Sequence, residues 1–576
     1  MPEHLPEACG IGVILVRRDS DTLHSRTVTL AGRSRRAVGA LALAALITAG
    51  VAACGAGRHT TPTAATVTVT PRTFVDLVGE LPGNLDETAT PDAASTELLP
   101  NWSGELVRPA SAAPGPNAVL PADGAVVPYL ATSWRVAAGG DAIFELRHHV
   151  FGPTGDPFTA ADVRWSLERA IARSPVAPFL LRLAHVNLAD PVTILSAHSV
   201  RINATAPSPF LLSVLASADT AIYDRKVYLA HATASDPWAQ VWGASNSASY
   251  CAYYVTRFTS GSELLLAANP GFWGHPYYTR VLIRQVPDSA DRVQEVLTGE
   301  ATHTSNLDWA AFAVAANQGP ATGVAATILQ NGPGVLAWHL NVTRGPLANP
   351  LVRQAINIGI DRSELVSQSI DDGNAEPAVL TIPGAFGAAQ PNISDPVQAR
   401  SLMRAAGYPH AITIDVATNN SVAGNQIYNL LATLRAQLVQ IDILLHTVVV
   451  DNTDQLITLE AHHQVESSME TISPLLGGAA FLVEQDANST LDPVSTAAQE
   501  GYRNPALQTV LDQLDTTPTG PAAGTLAQQA ATMLDTALPT INLTYVPVQN
   551  VTRADVTGYR AYTQPVTYYE HLHPVG

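Results

Sequence analysis

Ile412-Thr413-Ile414-Asp415-Val416, then a leucine stripe at Leu430, Leu431, Leu434 and Leu438, then the apolar run Ile441 to Val450, decide the fold class of this chain. The first five residues alternate with the two-residue period of a strand, and the leucines recur at the spacing of one helix face. Strand, helix and strand in that order imply a parallel pair joined by a crossover helix, the elementary unit of an α/β protein. Just upstream, Asp395 suits a helix N-cap, Pro396 fits the first turn, and Gly407 closes the far end. The same alternation extends outward. Thr159-Ala160-Ala161-Asp162 opens a helix to about Arg173, with Val163, Leu167, Ala170 and Ile171 on its apolar face. Asn349 to Ile358 forms another helix, and Asp361-Arg362-Ser363-Glu364 has the spacing of a capping box that starts a third. No repeat of solenoid length is present.

A chain of 576 residues is too long for one core and calls for two or three domains. Acidic residues outnumber basic ones by 49 to 31. That balance disfavours nucleic acid and anionic membrane surfaces as partners, and it suits a cationic or zwitterionic ligand. Cys9, Cys54 and Cys251 are far apart, which excludes a CxxC metal or redox pair.

The N-terminal region reads as an address. Arg33, Arg35 and Arg36 precede the uncharged run Ala37 to Ala53, the pattern of a signal peptide. The run is shorter than the ~20 residues a membrane-spanning helix needs. It ends Val51-Ala52-Ala53-Cys54-Gly55, which resembles a bacterial lipobox, so Cys54 is the expected site of lipidation. Residues 1–53 are read as the signal peptide, with a possible mis-assigned start. Residues 54–70 are the lipidated cysteine and a Thr-rich flexible tether. A diacylated cysteine supplies the two chains that stable anchoring requires. The expected location is therefore the outer face of the cell membrane.

The sequence carries no GxSxG elbow, Walker A loop, HExxH motif or dinucleotide fingerprint. It is therefore read as a non-enzyme without cofactor or metal. Glu460, His462, His463 and Glu466 have metal-ligand residue types, but adjacent histidines point to different faces, and a solvated polar stretch is the preferred reading. His571 and His573, just after Glu570, would share one face of a terminal strand; there the preferred reading is a polar chain end. Trp102, Trp238 and Trp242 are candidates to line a cleft, with core packing as the alternative for each.

A collinear set of segments resembles the family 5 bacterial extracellular solute-binding proteins, the peptide- and nickel-type binders of ABC importers. It starts with Asn84-Leu85-Asp86 and Val127-Pro128-Tyr129-Leu130-Ala131-Thr132-Ser133-Trp134. The most specific block runs from Phe144-Glu145-Leu146-Arg147 through Gly155-Asp156-Pro157-Phe158-Thr159-Ala160-Ala161-Asp162-Val163 to Ser166-Leu167-Glu168-Arg169. Asn269-Pro270-Gly271-Phe272-Trp273-Gly274, Asp291-Arg292-Val293, Leu340-Asn341-Val342-Thr343, Val352-Arg353-Gln354-Ala355 and Ile360-Asp361-Arg362 continue it. The resemblance implies a two-lobed periplasmic-binding-protein-like α/β fold with a hinge between the lobes. Lobe one would span residues 71–305 with an extra subdomain, lobe two 306–545, and residues 546–576 would return to lobe one.

The resemblance further implies a monomer that binds a peptide or other small ligand and works with permease subunits and a cytoplasmic ATPase. Many peptide binders of the family place an aspartate in lobe two against the ligand ammonium. The corresponding stretch here is Ser468-Met469-Glu470-Thr471-Ile472-Ser473-Pro474, without the usual aromatic residues. Setting Pro474 on the family proline makes Glu470 the candidate for that contact, with Ser473, Asn341 and Trp102 as further ligand-binding candidates. A solvated Glu470 is the competing reading. The degenerate motif leaves a non-peptide ligand such as a nickel chelate, or a scaffold lipoprotein of the same fold, as alternatives. A hydrolase is the remaining class, supported only by scattered His and Ser residues.

Overall fold

The computed structural model describes residues 72–86, 97–115, 118, 125–369, 377–381, 393–419, 422–450, 453–472, 476, 478–488, 495–518 and 520–576. Cys54, the signal region and Ser473 lie outside the described residues. Among the described residues no helix is long and apolar enough to cross a membrane.

The strands, in chain order, are β1 (Thr73–Val78), β2 (Val107–Pro109), β3 (Val126–Pro128), β4 (Ala131–Val136), β5 (Ala142–Leu146), β6 (Val192–Ser196), β7 (Ser199–Ile202), β8 (Tyr253–Thr259), β9 (Glu263–Ala268), β10 (Arg280–Gln285), β11 (His303–Thr304), β12 (Val324–Leu340), β13 (Ile412–Asn419), β14 (Ile443–Val450), β15 (Ser467–Ile472), β16 (Thr540–Arg553), β17 (Val556–Thr557) and β18 (His573–Pro574). Ten of them form one mixed sheet in the order β14-β13-β15-β12-β16-β11-β1-β10-β9-β8. Strands β4-β5-β7-β6 make a separate sheet, a small subdomain within the N-terminal half.

The unit that decided the fold class forms as expected. β13 and β14 pair in parallel from Ile412↔Ile443 to Asn419↔Val450. The helix between them, Val422–Leu438, buries Leu430, Leu431, Leu434 and Leu438 completely. Asp395 caps the helix Pro396–Ala405 through Val397 N and Gln398 N, and Gly407 beyond its end takes φ 92°. The second strand starts at Ile443 rather than Ile441, because Val439–Ile441 is a 3-10 turn closed by Asp442 at φ 65°. Thr159 and Asp162 set the start of the helix Ala160–Arg173, where Asp162 Oδ2 accepts from Thr159 N at 2.8 Å.

Long-range architecture comes from β12 and β16. They pair antiparallel from Val324↔Arg553 to His339↔Thr540, with register shifts near Ile328, Asn331 and Leu336. β16 also pairs with β11, which pairs with β1, so this bulged ribbon links the C-terminal strands of the sheet to the N-terminal ones. Bulges interrupt a ladder and bend it locally. Beyond β16 the chain returns to the N-terminal half: Tyr569 and Leu572 pack with Phe74, Trp102 and Val281, and Tyr569 Oη donates to Asp76 at 2.6 Å.

The signature residues turn out to be structural staples. Arg169 and Asp86, 83 positions apart, form a bidentate buried ion pair with side chains 0% and 2% exposed. Arg292 donates to the carbonyls of Val286, Pro287 and Asn306. Arg353 serves Ala537, Leu347 and Ala348, and Arg362 serves Asn542 and Asn357. Asn269 Nδ2 holds the carbonyls of Phe151 and Cys251. A Cβ on Gly271 would fall 2.4 Å from Phe151 O, so only glycine lets these loops meet.

Candidate functional site

β12 and β15 place Ala337 opposite Glu470, Trp338 opposite Met469 and His339 opposite Ser468. Because side chains alternate across a sheet, one set enters the apolar core: Leu336, Trp338, Leu340 and Met469, joined by Ile541 and Leu543 of β16. The other set, His339, Ser468 and Glu470, faces the opposite side. There it meets Glu460 from the helix Thr453–Ala461, Glu500 at the end of the helix Thr496–Glu500, and the field of Asp486 from the helix Ala479–Ala487.

His339 stands at the centre. Its Nδ1 is 3.4 Å from Glu500 Oε1 and its Nε2 is 3.9 Å from Glu470 Oε1. Thr540 Oγ1 donates to Glu500 Oε1. Burial alone would pull the imidazole down, but Glu500, Glu470 and Glu460 outweigh it and push the ring up to about 9. Burial pushes Glu460 up to about 8, helped by the Glu470 charge, and Asp486 up to about 7. Burial likewise raises Glu470 and Glu500, with His339 opposing both. Neither Glu460 oxygen makes a well-formed hydrogen bond although the residue is 4% exposed. Glu470 is the most open member, its side chain 21% exposed. Four carboxyl groups around one imidazole give this side of the sheet an acidic character, with Glu470 as the member open to an incoming cation.

The expected site residues fall in different places. Glu470 is a half-buried strand residue of this cluster. Asn341, two residues beyond His339, is buried and spends its amide on the carbonyls of His463 and Val465. Its Oδ1 accepts from Thr343 N, so it fixes the end of β12 against the loop before β15. Trp102 is fully buried in the N-terminal core with Phe74, Leu264 and Val281, and its carbonyl accepts from Ser247 and Ser249. Cys251 is also fully buried; burial raises its thiol to about 11.

Two polar stretches differ from their expected form. Glu460 belongs to the buried cluster, not to a solvated stretch, while His462 is exposed and His463 bonds Gln499 O at 2.9 Å. Near the C-terminus, Tyr569–His571 is a 3-10 turn, so Glu570 and His571 share no strand face with His573. Glu570 instead pairs with buried Arg108 at 2.6 Å, because that guanidinium, stacked on Tyr129 and Tyr568, needs a second carboxylate beside Glu105. Among the described residues no group of three His, Cys, Asp or Glu is disposed to hold a metal ion. His339, Glu500 and Asp486 were not singled out in the sequence; the visible trace is a histidine inside the apolar strand Leu336-Ala337-Trp338-His339-Leu340.

This architecture is that of a two-lobed periplasmic-binding-protein fold with α/β lobes. The chain belongs to the family described as bacterial extracellular solute-binding proteins, family 5 Middle, which matches residues 125–469. The glutathione-binding protein GsiB of Escherichia coli O1:K1 is 27% identical over 364 residues, a match that spans 59% of this chain and 64% of that protein. The match thus covers just under two thirds of the length of these curated relatives. Among solved structures, DppA of Helicobacter pylori in complex with the peptide STSA aligns with a TM-score of 0.72 at 18% identity, covering 87% of this chain and 98% of that one. The murein tripeptide binding protein MppA of Escherichia coli aligns at 0.71 and 18%, covering 89% and 100%. NikA of Staphylococcus aureus, in complex with Ni(L-His)2, aligns at 0.68 and 15%, covering 87% and 99%.

Proposed function

We propose that this chain is the lipid-anchored substrate-binding protein of an ABC importer, taking dipeptides or oligopeptides between its lobes and delivering them to a permease. Lobe one is residues 71–305 with the 546–576 return, lobe two is 306–545, and Cys54 carries the anchor. The observation that carries the ligand assignment is Glu470, the open edge of a cluster rich in carboxyls, on the strand where the family resemblance puts the ammonium contact. A charge-assisted hydrogen bond from a ligand ammonium to such a carboxylate contributes about 1.5–3 kcal/mol.

Native mass spectrometry of the purified protein, before and after unfolding and refolding, tests this. A small-molecule adduct lost on unfolding and restored by a peptide mixture is the expected result. Glu470→Gln should then weaken peptide binding roughly 10- to 100-fold in calorimetry, the counterpart of that energy. Binding of nickel–histidine complexes but not peptides would favour the chelate reading. Binding of neither would move the assignment to a scaffold lipoprotein.

A further inference from the structure

At a distance along the chain from the β12–β16 ribbon, a second set of residues joins the two parts. His185 follows the helix Ala177–Leu183 and holds φ 54°. Its Nδ1 lies 2.8 Å from Pro207 O, and its Nε2 lies 3.0 Å from Oδ2 of Asp515, the last residue of the helix Pro505–Asp515. Beside this contact Phe210 and Phe481 meet edge to face at 6.3 Å, each 2% exposed. His185 and Phe210 belong to the N-terminal subdomain; Asp515 and Phe481 belong to the C-terminal helices.

Both ring nitrogens therefore face acceptors. A carbonyl oxygen cannot donate, so Nδ1 must carry a proton to bond Pro207. A neutral imidazole has a single N–H, which serves either Pro207 O or the Asp515 carboxylate and leaves the other acceptor facing a ring lone pair. Only the imidazolium, donating at both nitrogens, satisfies both contacts with an ionised Asp515. Removing one proton leaves one of the two contacts without its hydrogen bond and removes the ion pair's charge.

We propose that His185 and Asp515 form a proton-dependent latch between the lobes, tightest when the ring is an imidazolium that donates at both nitrogens. The proposal rests on the two-lobed assignment above. Phe210 and Phe481 belong to a buried apolar cluster that the subdomain and the C-terminal helices share, and the ion pair at its edge supplies the sensitivity to pH. The charged groups around it are Arg182, three residues before His185; Asp512 on the Asp515 helix; and Glu484 on the helix Ala479–Ala487. Burial raises the Asp515 carboxyl, His185 opposes this, and the Asp512 charge adds to the rise. Burial raises Glu484 to about 8, with Asp515 and Asp512 adding to it.

The test is small-angle X-ray scattering of the purified ligand-free protein across about pH 5.5 to 8.5, the range in which histidine side chains change charge. The radius of gyration should grow reversibly with rising pH. Asp515→Asn, which accepts or donates without regard to the ring's charge, should flatten that curve, as should His185→Leu. Circular dichroism melts check that each variant folds. A folded wild type whose radius ignores pH, or a pH response that survives in both variants, overturns the latch. A peptide adduct in the same preparation would leave the transport reading standing, so the two failures are distinguishable.

Discussion

Arg169 shows what a signature residue does here. Its guanidinium is fully buried, fixes both oxygens of Asp86, donates to Trp238 O, and lies 4.8 Å from the Tyr228 ring centroid. A Cβ on Gly243 would sit 2.5 Å from Asp86 Oδ2, so the pair is packed from that side by backbone alone. Asp86→Ala leaves a buried guanidinium without its counter-ion, which should cost about 3–5 kcal/mol. A large fall in melting temperature in calorimetry is the expected outcome; an unchanged melt would mean the pair contributes nothing net. The sequence displayed Arg169 in its most specific block and Asp86 in a separate family segment, yet spacing could not reveal that they touch, because 83 positions separate them. Glu470 was legible only through the resemblance. His339 was invisible for a physical reason: a histidine in an apolar strand reads as core until a carboxylate from another element is placed beside it.

At the scale of elements, legibility follows locality. The unit from Asp395 to Val450 announces itself because its caps, periods and turn residues are all local and agree. β12 and β16 do not announce themselves. Each is far longer than an ordinary strand and carries register shifts, so no single alternation runs through either one. Their partnership joins residues more than two hundred positions apart, which a period cannot encode. The consequences for stability differ as well. Leu434 is fully buried on the crossover helix, within the core that also holds Ile356, Leu430 and Ile443. Leu434→Ala should cost about 2–5 kcal/mol through lost burial and the cavity left behind. Urea unfolding monitored by circular dichroism should show the midpoint falling with the slope unchanged, and a shift under about 0.5 kcal/mol would indicate that the helix is loosely packed.

Across the whole molecule the buried carboxyls act together. Burial raises Glu97 to about 7, Glu484 to about 8, Asp486 to about 7 and Glu460 to about 8, against ordinary values of 4.5 for glutamate and 3.8 for aspartate. His339, raised to about 9, acts in the same direction. Each of these groups holds its proton in the folded chain at a pH where the unfolded chain has released it. The native state therefore binds more protons, and stability falls as pH rises through the folded values. His571 works the other way: burial lowers it to about 4, so the unfolded chain gains a proton first as pH falls below 6.5. The two trends place the maximum on the mildly acidic side. Melting temperature at constant ionic strength should decline between about pH 5.5 and 8.5, because the folded carboxyls lose their protons across that window. Glu484→Gln separates this cause from any other. The amide mimics the protonated acid, so the variant should melt like the wild type at the acidic end and above it at the alkaline end. A Glu484→Gln curve parallel to the wild type, or a wild-type curve that rises with pH, would show that these carboxyls are not held protonated by the fold.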